Sequence, residues 1–227
     1  MAGERLDTPK VRAKLWDGPT RIVHWALVIL MGFAWWSVEA NQTEWHLWAG
    51  YGILGLIVFR LIWGFAGSAS ARFTSFVKGP ITTLAYAKTL SRRSAGDMAG
   101  HNPLGGWSVV AILAAILSQV VTGLFAVDVD GLESGPLSDR VSFETGRLFS
   151  KWHDLSFTAI KLLVVLHLSA IAFYALYKRA NLIAPMITGY KTFETDPKLR
   201  FAPLWRAALG AGAAAAVTWW VMKGLRL

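Results

Sequence analysis

Residues 151–177 read KWHDLSFTAIKLLVVLHLSAIAFYALY, an apolar run that carries two histidines, His153 and His167. Fourteen residues at roughly 100° each return to within about 40° of the starting direction, so the two imidazoles share one helix face about 21 Å apart along the axis. Two more histidines, His24 and His46, stand within two earlier apolar stretches. One face with two levels predicts two sites, each completed from another helix.

The whole chain has the composition of a polytopic membrane protein: 54% of its 227 residues are hydrophobic, 12 are Trp, 12 are Phe, and only 16% are charged. It has no cysteine, which excludes disulfides, iron–sulfur clusters, thiolate metal sites and covalent c-type haem attachment. A net charge of +9 raises the question of nucleic acid. The basic residues lie beside apolar spans, however, and membrane topology accounts for them better.

Apolar runs long enough to cross a bilayer fall near 22–38, 45–66, 107–127, 153–177 and 204–222. The predicted fold is therefore an all-α membrane protein, a four-helix transmembrane bundle plus a fifth C-terminal transmembrane helix. Arg5, Lys10, Arg12, Lys14 and Arg21 precede the first run and Val38-Glu39-Ala40 ends it, a pattern that mimics a cleavable leader. A histidine and several tryptophans inside the run, with four more spans behind it, favour a retained helix.

Lys and Arg number five before the first span, none in 39–44, five in 67–106, three in 128–152, six in 178–206 and two after 222. The alternation places the N-terminus and the 67–106 and 178–206 loops in the cytoplasm. The 128–150 loop carries Asp128, Asp130, Glu133, Asp139 and Glu144 and belongs outside, as a solvated loop or as a surface for a basic partner. In the fifth span Gly210 to Ala216 are all glycine or alanine, which suits close helix packing.

This topology gives the histidines depths. His46 and His153 fall toward the outer side and His24 and His167 toward the cytoplasmic side, so each pair is suited to clamp one planar cofactor between helices. Histidine is costly in lipid, and iron coordination supplies the missing partners. The expectation is two bis-histidine b haems. Arg60, fourteen residues after His46, and Arg21, one turn before His24, are candidates to answer haem propionates, or serve as positive-inside anchors. Lys161 lies eight residues into the fourth span, either reaching a propionate or skirting the headgroups. Gly50 and Gly55 either admit a porphyrin to the backbone or pack helices.

Several stretches together resemble the bacterial cytochrome b-561 and nickel–iron hydrogenase b-type cytochrome family. They are Asp17-Gly18-Pro19-Thr20-Arg21-Ile22-Val23-His24-Trp25, Arg60 to Phe65, Ala71-Arg72-Phe73 with Lys78-Gly79-Pro80, Gly100 to Gly105, Thr122 to Phe125, and Trp152-His153 followed by His167. The resemblance runs from about Trp16 to Tyr190. It implies four core helices, two non-covalent haems on His24, His46, His153 and His167, and electron exchange between a periplasmic partner and the quinone pool. That partner is a hydrogenase subunit, another dehydrogenase or a c-type cytochrome. His101, within the family-like loop, is a candidate proton carrier for a quinone, or a plain loop histidine beside a turn.

The chain accordingly divides into a di-haem cytochrome b domain, 1–190, and a cytoplasmic linker with an added helix, 191–227. Two other functions compete with an electron-transfer subunit. One is a self-sufficient superoxide:ubiquinone oxidoreductase, with Arg140, Arg147, Lys151 and Lys161 steering the anion against the acids of the same loop. The other is a divalent-metal transporter, which the shortage of carboxylates deep in the spans disfavours.

Overall fold

The computed structural model describes residues 10–93, 96–130 and 133–226; Arg5 of the basic leader lies outside them. Among the described residues four helices are long and apolar enough to cross a membrane: α1 (Gly18–Glu39), α2 (Thr43–Ala66), α5 (Pro103–Phe125) and α6 (Phe143–Leu176). The short helices α3 (Phe73–Phe76) and α4 (Pro80–Ala87) lie between α2 and α5, and α7 (Ile183–Thr188) follows α6. Helix α8 (Leu204–Met222) is the predicted C-terminal helix; it is 19 residues long but is not among those four.

All four spans start earlier than their apolar runs, and in α1, α5 and α6 polar caps set the first turn. Asp17 accepts from Thr20 N at 2.8 Å with Pro19 in the first turn of α1, and Asn102 does the same for α5 through Gly105 N at 2.8 Å with Pro103. These side chains satisfy amide donors that have no intrahelical acceptor, and proline needs none. Ser142 caps α6, so residues 143–150, expected in the outer loop, are helical. At 34 residues α6 is about 51 Å long and overreaches a hydrocarbon core of about 30 Å.

The connections sort by side. Strand β1 (Val11–Lys14) pairs antiparallel with β2 (Tyr190–Phe193), and Lys191 Nζ donates to Met98 O at 3.1 Å. Ala69 N donates to Arg200 O, so the N-terminal strand, the 67–102 segment and the 178–203 segment share one side. At the opposite end Arg226 pairs with Asp139 at 3.2 Å and Arg140 donates to Gly224 O at 2.6 Å. This is the grouping of loops that the charge alternation calls for.

Helix α2 is the hub, packing against α1, α5 and α8. Its Gly64 admits the Phe73 ring, which lies 2.0 Å from where a Cβ would stand. Gly64→Ala therefore forces Phe73 out of its place over Arg60, and we expect a loss of about 1–3 kcal/mol, read as a lower thermal midpoint in detergent. Helix α6 behaves differently. It packs along α5 but faces α1 and α2 across a gap bridged by rings, Trp35 to Phe157 at 5.7 Å and His46 to His153 at 6.1 Å.

Candidate haem sites

The gap holds a cavity of about 520 Å³, within the usual range for small-molecule and cofactor sites. His46 and His153 look into it from α2 and α6. Two imidazoles that each bind one metal ion at about 2 Å have ring centroids about 6 Å apart, and this pair stands at 6.1 Å with the planes 79° apart. His46 Nδ1 lies 3.0 Å from Ala34 O, which fixes that nitrogen as donor and leaves Nε2 for the cavity.

His153 is held from α5. Its Nδ1–H donates to Gln119 O at 2.9 Å, and the Gln119 amide donates to Nε2 at 2.8 Å while accepting from Ser156 Oγ. Ligation through Nε2 would require that amide to turn aside. Gly123 makes the close approach possible, since a Cβ there would meet His153 Cε1 at 2.8 Å. Gly50 also lines the cavity with nothing within 4 Å of its Cβ direction, whereas Gly55 meets Thr218 of α8 at 3.2 Å. Of the two glycines left open by the sequence, Gly50 borders the cavity and Gly55 packs a helix.

Lys161 lines the same cavity, exposed, with Nζ 4.9 Å from the Phe157 ring centre. Glu39 and Asp154 line it too. The space is thus apolar within and mixed in charge at its edge.

The second histidine pair sits toward the other end. His24 and His167 lie within electrostatic reach of each other, and His101 feels both together with Arg60. Several buried polar atoms in this part of the fold have no hydrogen-bond partner among the described residues: His24 Nδ1, Arg21 Nε, Arg60 Nη1, His101 Nδ1 and Thr20 Oγ1. Such atoms are expensive to leave unpaired, and a bound group carrying carboxylates and a metal would answer them. Arg60 is 6% exposed and stacks on Phe73 at 5.0 Å. Arg21 reaches Ile187 O at the end of α7.

His101 is wedged between Trp16 and Phe76, each ring 4.8 Å away. Burial, then the positive charge of Arg60 and of the other two histidines, lowers its pKa to about 3. It is therefore neutral near pH 7.

Sequence reasoning did not single out Gln119, Ser156 or Asp17. A lone amide in an apolar span was a readable signal for Gln119. Asp17 is 4% exposed and accepts from Trp63 Nε1 at 3.0 Å as well as capping α1, which ties α1 to α2 beside Arg60.

Residues 15–189 match the family described as prokaryotic cytochrome b561. A probable Ni/Fe-hydrogenase B-type cytochrome subunit from Cupriavidus necator (strain H16) is 26% identical over 218 residues, covering 79% of this chain and 87% of the relative. No solved structure matches the chain.

Proposed function

The chain belongs to the prokaryotic cytochrome b561 family, a multi-pass membrane b-type cytochrome of electron transfer, and from that premise we propose that it carries two b haems as a wire between a periplasmic redox protein and the membrane quinone pool. The observation that supports this most is the His46–His153 pair, spaced for one metal ion across the cavity between α2 and α6. His24 and His167 form the second pair. Haem iron, once bound, supplies one-electron redox chemistry.

The chain's residues do the holding and tuning. Ala34 O and Gln119 O orient the outer imidazoles, and the apolar walls exclude water. Arg60 and Arg21 offer guanidinium donors to carboxylates at the inner site, and Lys161 offers an ammonium at the outer one. His101, neutral beside the inner pair, is suited to hydrogen-bond a quinone or a propionate and takes up a proton only when an anion comes close.

The partner is a hydrogenase, another dehydrogenase or a c-type cytochrome at the outer face. The similarity to a hydrogenase cytochrome subunit supports the first. The orientation follows the positive-inside rule, with the N-terminus cytoplasmic in a bacterial inner membrane. Helix α8 is the fifth span: it begins beyond Ala202, which donates to Ser68 Oγ at 3.0 Å on one side, and ends at Met222, just before Gly224, whose carbonyl accepts from Arg140 on the other. Its 19 residues rise about 28 Å, close to the hydrocarbon thickness.

The superoxide oxidoreductase reading is weaker, because Glu39 and Asp154 share the cavity edge with Lys161 and cancel the steering of an anion. For a divalent-metal transporter, no three His, Cys, Asp or Glu side chains gather into a cage among the described residues. The test is redox exchange with quinone. Dithionite-reduced protein in nanodiscs should lose its reduced haem bands on addition of a soluble ubiquinone or menaquinone analogue; bands unmoved by either contradict the quinone link.

A further inference from the structure

Helix α4 takes no part in either histidine pair. None of its side chains is buried, and Ile81 and Leu84 are 85% and 63% exposed. Ile81, Leu84 and Lys88 recur at i, i+3 and i+7 and so share one face. The neighbouring face, with Pro80, Thr83, Leu84 and Ala87, forms an apolar groove of about 360 Å³ against Leu104 and Trp107 of α5. The groove has fixed walls: Tyr86 Oη lies 2.6 Å from Tyr174 Oη, and Trp107 Nε1 donates to Lys78 O at 2.9 Å.

The same segment is strongly basic. Lys78, Lys88, Arg92 and Arg93 are all exposed, and no Asp or Glu occurs between residues 67 and 96. None of the four has an ion-pair partner among the described residues. A short helix that exposes large apolar side chains beside membrane spans, with cations around it, lies in the headgroup plane. Basic clusters next to grooves between spans select anionic headgroups.

We propose that the groove between α4 and the start of α5 binds an anionic phospholipid, its acyl chain against Leu84, Leu104 and Trp107 and its phosphate met by Lys78, Lys88, Arg92 and Arg93. The occupant is two-part because the segment is: the apolar trough on α4 is flanked in sequence by four exposed cations, with no carboxylate between residues 67 and 96. Neither a soluble anion nor a neutral tail alone matches both halves.

The test uses haem-loaded protein in a neutral detergent, analysed by native mass spectrometry with phosphatidylglycerol or phosphatidylcholine of the same acyl chains. Wild-type protein should retain phosphatidylglycerol on the order of tenfold more than phosphatidylcholine. K78Q/K88Q/R92Q/R93Q should bring the two lipids level, and L84W, which fills the groove, should lower retention of both. An unchanged haem spectrum certifies that each variant is folded. Equal retention of the two lipids by wild-type protein overturns the site, and that outcome needs no variant. Displacement of the lipid by inorganic phosphate, or loss from L84W of a quinone in place of phospholipid, also overturns it.

Discussion

Replacing His153 by alanine is expected to remove one haem and leave the other, halving the haem content with the remaining b-type bands intact. His46→Ala should give the same product. The two imidazoles stand on different helices, and their 6.1 Å spacing across a 520 Å³ cavity is one that a shared metal ion would fit. Losing either one would leave a single histidine to hold that haem, which would then depend on one bond and on apolar contact. His24→Ala and His167→Ala should both remove the other haem. The retained spectrum serves as a folding control in each case, and its midpoint potential should match one of the two wild-type values. Loss of the same haem from His46→Ala and His167→Ala would break the pairing.

The second large effect is expected at Asp17. Its carboxylate accepts from Thr20 N at 2.8 Å and from the Trp63 indole at 3.0 Å, both away from water, and it lies within electrostatic reach of the buried Arg60. Asp17→Ala takes away an N-cap, worth about 1 kcal/mol, and leaves a buried indole N–H unpaired at about 1–3 kcal/mol. The sum, about 2–4 kcal/mol, should appear as a markedly lower thermal midpoint in detergent. Asp17→Asn keeps an acceptor oxygen for only one of the two donors and turns an NH2 toward the other, so it should fall between Asp17→Ala and wild type. A midpoint for Asp17→Ala equal to wild type would show that the α1–α2 junction does not depend on this side chain.

The four apolar spans and the two-level face of His153 and His167 were legible because hydropathy and helical period act locally. Helix starts were less so: a reading keyed to apolar residues begins where the apolar run begins, while Asp17, Asn102 and Ser142 start their helices upstream. The β1–β2 pair was invisible, since Val11–Lys14 meets Tyr190–Phe193 across most of the chain and four-residue strands carry no pattern of their own. The cradle of His153 is tertiary in the same way. Gln119 and Ser156 lie on different helices, and only their packing puts an amide against the imidazole. Gly50 and Gly55 show the limit well: identical residues five apart, one facing the cavity and one facing Thr218.

The inner pair rests on a different kind of signal. Arg21, Arg60 and His24 were already candidates in sequence, the two arginines also readable as positive-inside anchors, and what marks each in the fold is one buried nitrogen with no hydrogen-bond partner among the described residues. The arrangement of charge is likewise collective. Arg60 is held between the Phe73 ring and the vicinity of Asp17, and neither neighbour is close in sequence.

The most direct test of the two-haem account is the pyridine haemochrome of the purified wild-type protein, set against protein concentration from amino-acid analysis. Four histidines in two pairs predict two non-covalent b haems per chain, all extractable into acidified acetone. A ratio of one after haem-sufficient expression, or no haem at all, would contradict it.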